Sequence, residues 1–147
     1  MDDNTKTTTL VSLGKTFELG FFSLGKSKNR YIGIWYKNTP DVVVWVANRN
    51  TPLPDSYGEF TINNKTNQLV LLNRLKEIVW PSNSLKRVAN NPVAQLLELG
   101  NLVLRESESL SSELYLWQSF DYPTDTLLAG MGRDSNPIVI NKTKKKV

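Results

Sequence analysis

Chemistry in this chain must be done by carboxylates, hydroxyls and amides, because it contains no cysteine and no histidine. That excludes thiol nucleophiles, His-based proton relays, the common zinc sites and disulfides together. The best-spaced acids are Asp121 and Asp125, in Asp121-Tyr122-Pro123-Thr124-Asp125. Paired carboxylates flanking a sugar bond are the machinery of a glycosidase. The same string reads first as a proline turn capped by its own acids, so no catalytic residue, cofactor or metal ligand is assigned. Two sequons, Asn64-Lys65-Thr66 and Asn141-Lys142-Thr143, offer amide acceptors for N-glycosylation in a secreted chain.

The formal charge of +4 resides in the last few residues, Lys142, Lys144, Lys145 and Lys146, and without them the body is neutral. The expected partners therefore include no nucleic acid, and no membrane contact is expected. A terminal lysine run reads as a solvated tail. No run of about 18 apolar residues exists to span a bilayer. The opening Met1-Asp2-Asp3-Asn4-Thr5-Lys6 is the opposite of a signal peptide. The expectation is either a mature fragment given a start codon or a product that never enters the secretory route. At 147 residues, with 39% hydrophobic and 22% charged, the chain suits one globular domain.

What must position these groups is β-structure. Alternating and β-rich runs predict strands at Phe17–Phe22, Tyr31–Tyr36, Val42–Ala47, Glu59–Ile62, Gln68–Leu72, Glu77–Trp80, Ala94–Leu97, Asn101–Arg105 and Leu114–Gln118. Turn clusters separate them, among them Asn38-Thr39-Pro40-Asp41 and Asn63-Asn64-Lys65. The one serious helical alternative, Pro92–Leu104, is broken by Gly100 and Asn101 and is read as two strands joined at Leu99-Gly100. The class is all-β: a barrel, sandwich or prism of hairpins. Beyond Met131 the pattern fades.

Trp45, Trp80 and Trp117 recur 35 and 37 residues apart, each after an apolar run and each followed two places later by a small residue, Ala47, Ser82 or Ser119. Such a period marks units that cannot bury their own apolar face and must share a core. Three units about one axis would bring three indoles together at the centre. Trp35-Tyr36 lies outside that equivalence, and since adjacent strand residues face opposite ways, one of the pair is expected to face out.

The strings Phe17-Glu18-Leu19-Gly20-Phe21-Phe22, Tyr31-Ile32-Gly33-Ile34-Trp35-Tyr36-Lys37, Val44-Trp45-Val46-Ala47-Asn48-Arg49, Leu99-Gly100-Asn101-Leu102-Val103-Leu104 and Trp117-Gln118-Ser119-Phe120-Asp121-Tyr122-Pro123-Thr124-Asp125-Thr126-Leu127-Leu128 resemble the bulb-type lectin domain of plant S-locus-type receptor-like kinases. The likeness runs from about Thr9 to Met131. It implies a β-prism of the monocot mannose-lectin type (β-prism II), with three antiparallel sheets about a pseudo-threefold axis. It further implies an extracellular module of a membrane receptor. The domain expectation is an N-terminal extension over 1–8, disordered, the lectin domain over 9–131 and a divergent basic tail over 132–147.

Sugar-binding members of that family carry Gln-x-Asp-x-Asn-x-Val-x-Tyr on one strand of each repeat. Alternate residues of a strand share a face, so amides, carboxylate and phenol converge on one mannose. Laid on this chain, the pattern falls on Lys28, Arg30, Ile32, Ile34 and Tyr36, then Asn64, Thr66, Gln68, Val70 and Leu72, then Leu97, Leu99, Asn101, Val103 and Arg105. Only Tyr36, Val70, Asn101 and Val103 match, with Asn64, Thr66 and Gln68 polar stand-ins. Each lost hydrogen-bonding partner forfeits about 0.5–1.5 kcal/mol. Asn101 and Gln68 also have a plainer reading as turn and strand-edge residues. The expectation is a non-catalytic recognition module with degenerate mannose sites, binding a protein or peptide ligand or a second copy of itself, and mannose-type glycans weakly.

Overall fold

The computed structural model describes residues 1, 9–82, 89–108 and 115–123. Among these residues, ten strands form three antiparallel sheets. The first takes β1 (Leu10–Val11), β2 (Phe17–Phe22), β3 (Tyr31–Tyr36) and β4 (Thr39–Val46), in that order. The second takes β5 (Glu59–Ile62), β6 (Leu69–Leu72) and β7 (Ile78–Pro81), and the third β8 (Pro92–Leu96), β9 (Leu102–Glu106) and β10 (Trp117–Gln118). A 3-10 turn over Ser119–Asp121 follows. This is the β-prism that the repeat and the resemblance predict. Among the described residues no helix is long and apolar enough to cross a membrane.

Differences from the predicted strands have local causes. The two-residue β1 is too short to show alternation, and it pairs Leu10 with Leu19 and Val11 with Glu18. The strand expected to start at Val42 begins at Thr39, so the predicted turn Asn38-Thr39-Pro40-Asp41 shrinks to Lys37-Asn38. Pro40 is tolerated there because β4 is an edge strand. The Leu99-Gly100 turn forms as expected, with Gly100 at φ 85°, a left-handed backbone that disfavours side chains. Of the expected terminal extension, Met1 is described; its N–H group and carbonyl both meet the backbone of Phe60. Residues 2–8 and the basic tail lie outside the described residues.

Each sheet turns its apolar face inward, where Leu19, Ile32, Ile34, Leu69, Leu71, Leu102 and Leu104 form one core. At its centre Trp45, Trp80 and Trp117 meet pairwise, with ring centroids 5.9–6.0 Å apart and interplanar angles of 65–78°. Edge-to-face contact sets the positive rim of one indole against the negative face of the next. Trp45 and Trp117 are buried and Trp80 partly so.

A second threefold feature lies beside the trio. The N–H groups of Ile32, Leu69 and Leu102 donate to Asn48 Oδ1 (2.9 Å), Ser82 Oγ (3.1 Å) and Ser119 Oγ (2.9 Å). The small residue after each tryptophan thus has a function in the second and third sheets. Ala47 lacks a hydroxyl, and Asn48 supplies the oxygen instead, its amide also donating to the carbonyls of Arg30 and Thr51. Removing a side chain that caps a buried N–H leaves an unsatisfied donor, costing about 1–3 kcal/mol. Ser82→Ala should lower the unfolding free energy in urea by that amount, and Ser119→Ala and Asn48→Ala by more, because two and three hydrogen bonds respectively go at once.

Candidate functional site

Strand pairing fixes which residues are equivalent. Trp45 pairs with Ile34, Trp80 with Leu71 and Trp117 with Leu104. Val70 and Val103, each one residue earlier, therefore correspond to Gly33 and not to Ile34. In the first repeat the expected frame is one residue out: the outward residues of β3 are Tyr31, Gly33 and Trp35, whereas Ile32 and Ile34 point into the common core. Tyr36 falls on the inward-facing set at the strand end, where its ring meets Phe17 at 4.8 Å and stays 38% exposed. Trp35 is 1% exposed, so of the Trp35-Tyr36 pair it is the tyrosine that reaches solvent.

The outer face of the first sheet is closed by its own side chains. Phe22, Trp35, Val43 and Val46 form a second buried cluster with Tyr31 packed against it. Glycines make the room. A Cβ on Gly20 would stand 2.8 Å from the Trp35 ring, and one on Gly33 2.8 Å from the Phe22 ring. The Trp35 indole N–H donates to Glu18 Oε1 at 2.8 Å, so the one polar group of the plug is also satisfied. A face that would need exposed amides and a carboxylate to hold a sugar carries a small apolar core.

The third sheet keeps polar residues but uses them internally. Asn101 lies just before β9 and is buried. Its Nδ2 donates to Gln118 Oε1 (3.0 Å), while its Oδ1 accepts from Ser119 Oγ (3.2 Å) and the Phe120 N–H (3.1 Å). Gln118 in turn donates to Asp121 (3.1 Å), and Arg105 donates to Gln95 (2.9 Å) and to the carbonyls of Glu106 and Ser107. Val103 is buried beneath this ladder and Leu99 is 79% exposed. Gln95 and Gln118 were absent from the motif because they come from the neighbouring strands; cross-strand partners follow from register, which one strand's sequence does not reveal.

In the second sheet the motif does not stay on a strand. β6 begins at Leu69, so of the five positions only Val70 and Leu72 are in it. Asn64 and Thr66 stand exposed on the β5–β6 turn, and Gln68 is half-buried just before the strand. Val70 is buried. Of the carboxylate pair considered for catalysis, Asp121 is exposed and accepts from Gln118, while Asp125 lies outside the described residues, as does Asn141. Among the described residues no three His, Cys, Asp or Glu side chains gather to hold a metal ion.

The sequence profile of one family, described as D-mannose binding lectin, matches residues 42–146. The chain belongs to this lectin family. It is 50% identical over 125 residues to S-locus-specific glycoprotein S6 of Brassica oleracea, a match covering 84% of the chain and 28% of that protein. It is 50% identical over 130 residues to the G-type lectin S-receptor-like serine/threonine-protein kinase SRK of Arabidopsis thaliana, covering 86% and 15%. To the receptor-like serine/threonine-protein kinase SD1-8 of the same plant it is 47% identical over 125 residues, covering 84% and 14%. The chain thus spans less than a third of these relatives and corresponds to their bulb-type lectin domain.

One further feature of this lectin domain was invisible in the motif. Where the first and third sheets meet, Phe17, Tyr36, Val44, Trp45, Leu99, Phe120 and Pro123, together with Gly100 and Ser119, line a mostly apolar groove of about 300 Å³. Leu99 and Phe120 stand 79% and 54% exposed at its edge. Lone exposed apolar residues are ordinary, whereas here several converge on one hollow. The plug across the first sheet generates a prediction of its own. Trp35→Ala and Phe22→Ala should each destabilise the domain by about 3–5 kcal/mol, as buried aromatic truncations do, measured by urea unfolding followed by tryptophan fluorescence.

Proposed function

We propose that this lectin domain is a non-catalytic recognition module whose mannose sites are degenerate and whose ligand is a protein or peptide met outside the cell. The observation that carries this reading is the closure of the first sheet's outer face by Phe22, Trp35, Val43 and Val46. Supporting it, the Asn101 amide is committed within the third sheet, and the second sheet retains neither the carboxylate nor the phenol of the motif. Residues 9–131 act as the recognition unit, with 132–147 a basic appendage.

The surface for that ligand is the groove between the first and third sheets. An apolar side chain of a partner seated between Tyr36, Leu99 and Phe120 would bury surface at about 25 cal/mol per Å², a driving force that does not depend on sugar hydroxyls. Extracellular placement follows the S-locus glycoprotein and receptor-kinase relatives.

Calorimetric titration with mannose and a glycan array should both show no saturable binding. A mannose complex perturbing the amide signals of Val70 or Val103 would defeat the reading. The groove is tested separately, by photo-crosslinking residues placed at positions 99 and 120 against a control at Ile78, which is 50% exposed on another sheet. Adducts are expected from the groove positions and not from the control. A heterologous adduct identifies a protein ligand, an adduct of two copies identifies self-association, and equal labelling at Ile78 removes the groove from consideration.

A further inference from the structure

We infer that Asn64 is an N-glycosylation site, and that its glycan shields the outer face of the second sheet. Asparagines crowd this part of the chain, and the others have structural work. Asn63 Oδ1 accepts the N–H groups of Lys65 (2.8 Å) and Thr66 (3.2 Å) and so holds the β5–β6 turn. Asn67 sits at φ 58° and its amide donates to the Ala89 carbonyl at 2.8 Å. Asn73 Oδ1 accepts the N–H groups of Leu75 and Glu77 in the next hairpin. Asn64 differs from all three: it is exposed at the turn, and its side chain makes no hydrogen bond among the described residues. Thr66, the hydroxyl residue that a sequon requires, is exposed beside it, and the residue between them is lysine rather than the forbidden proline.

This arrangement suits transfer of a preassembled oligosaccharide. The Asn64 amide nitrogen attacks the anomeric carbon of a sugar carried on a lipid diphosphate, under a host transferase that reads the Thr66 hydroxyl. The bond from anomeric carbon to diphosphate oxygen breaks as the nitrogen–carbon bond forms; the amide gives up one proton, and the lipid diphosphate leaves. No hydrogen bond of the fold is lost, because Asn63 and not Asn64 holds the turn. The product is a bulky, hydrated group at the end of the hairpin leading to Gln68 and Val70. Among the described residues the outer face of this sheet carries no aromatic plug like that of the first, and Gln68 at its edge is only half-buried.

The test is to send the full chain through the secretory pathway of a plant cell with an appended leader and map its peptides. The expected result is glycan on the peptide containing Asn64, released by peptide amidase with conversion of position 64 to aspartate. Asn64→Gln and Thr66→Ala should each abolish that modification, Thr66→Ser should retain it, and Asn141→Gln should leave it unchanged. Secreted, folded protein with Asn64 unmodified overturns the assignment. Glycan at Asn64 that leaves Val70 amide exchange and probe access to this face identical to those of Asn64→Gln overturns the shielding role.

Discussion

Three indoles packed edge to face hold three sheets at a common distance, and the rest of the molecule is arranged around that contact. Each ring buries on the order of 150–250 Å², worth about 4–6 kcal/mol by area, and each touches both of the others. The strength of this demand shows in what it overrides. Trp117 is 1% exposed and, among the described residues, its buried indole nitrogen has no acceptor. An unmet donor costs about 1–3 kcal/mol, less than the burial returns. Trp45 escapes the same penalty because the Tyr122 carbonyl accepts its N–H at 3.0 Å, while the Tyr122 ring stacks on Trp117 at 10°. The segment after β10 therefore closes one end of the trio, which ties the Trp117-to-Tyr122 string to the core by geometry as well as by likeness.

The trio was legible in the sequence because a tryptophan after an apolar run is rare enough for its recurrence to stand out. The same holds for Phe17–Phe22 and Glu59–Ile62, whose limits agree with the structure. The frame of the first repeat was not legible, for a definite reason. Tyr31-Ile32-Gly33-Ile34-Trp35-Tyr36 is apolar in both alternating frames, so period two cannot say which set faces the core. Tyr36 then attracted the motif's terminal tyrosine onto the wrong face. Only the partner strand resolves this, through the pairing of Ile34 with Trp45 and of Gly33 with Val46. The groove was hidden differently, since Phe17, Tyr36, Leu99 and Phe120 come from four separated segments that no local pattern joins.

The two faces of these sheets are under different constraints. The inward face must meet its threefold neighbours, so Ile34, Leu71 and Leu104 remain large and apolar in all three units. The backbone latches also belong to the interior: when Ala47 removes a hydroxyl, Asn48 restores the oxygen to the same N–H. The outer face answers to no such neighbour. One sheet carries Phe22 and Trp35 there over two glycines, and another joins its polar residues to one another through Asn101, Gln118, Gln95 and Arg105.

Energetics favour such closed outer faces wherever a ligand would contribute little. A shallow sugar face gains about 0.5–1.5 kcal/mol from each hydrogen bond, and gains it only while ligand is bound. Burying a ring the size of Trp35 stabilises the domain by several kcal/mol at all times. Starting from an exposed polar strand, each aromatic that finds room over Gly20 or Gly33 is thus held in place by stability alone, and reversal requires reopening a filled core. Leu99 and Phe120 follow the opposite logic. Their exposure contributes nothing to folding, and neither residue is placed where the trio, the latches or the plug would require it. In the proposed reading they meet an apolar side chain of a partner, for which sugar hydroxyls would be a poor substitute.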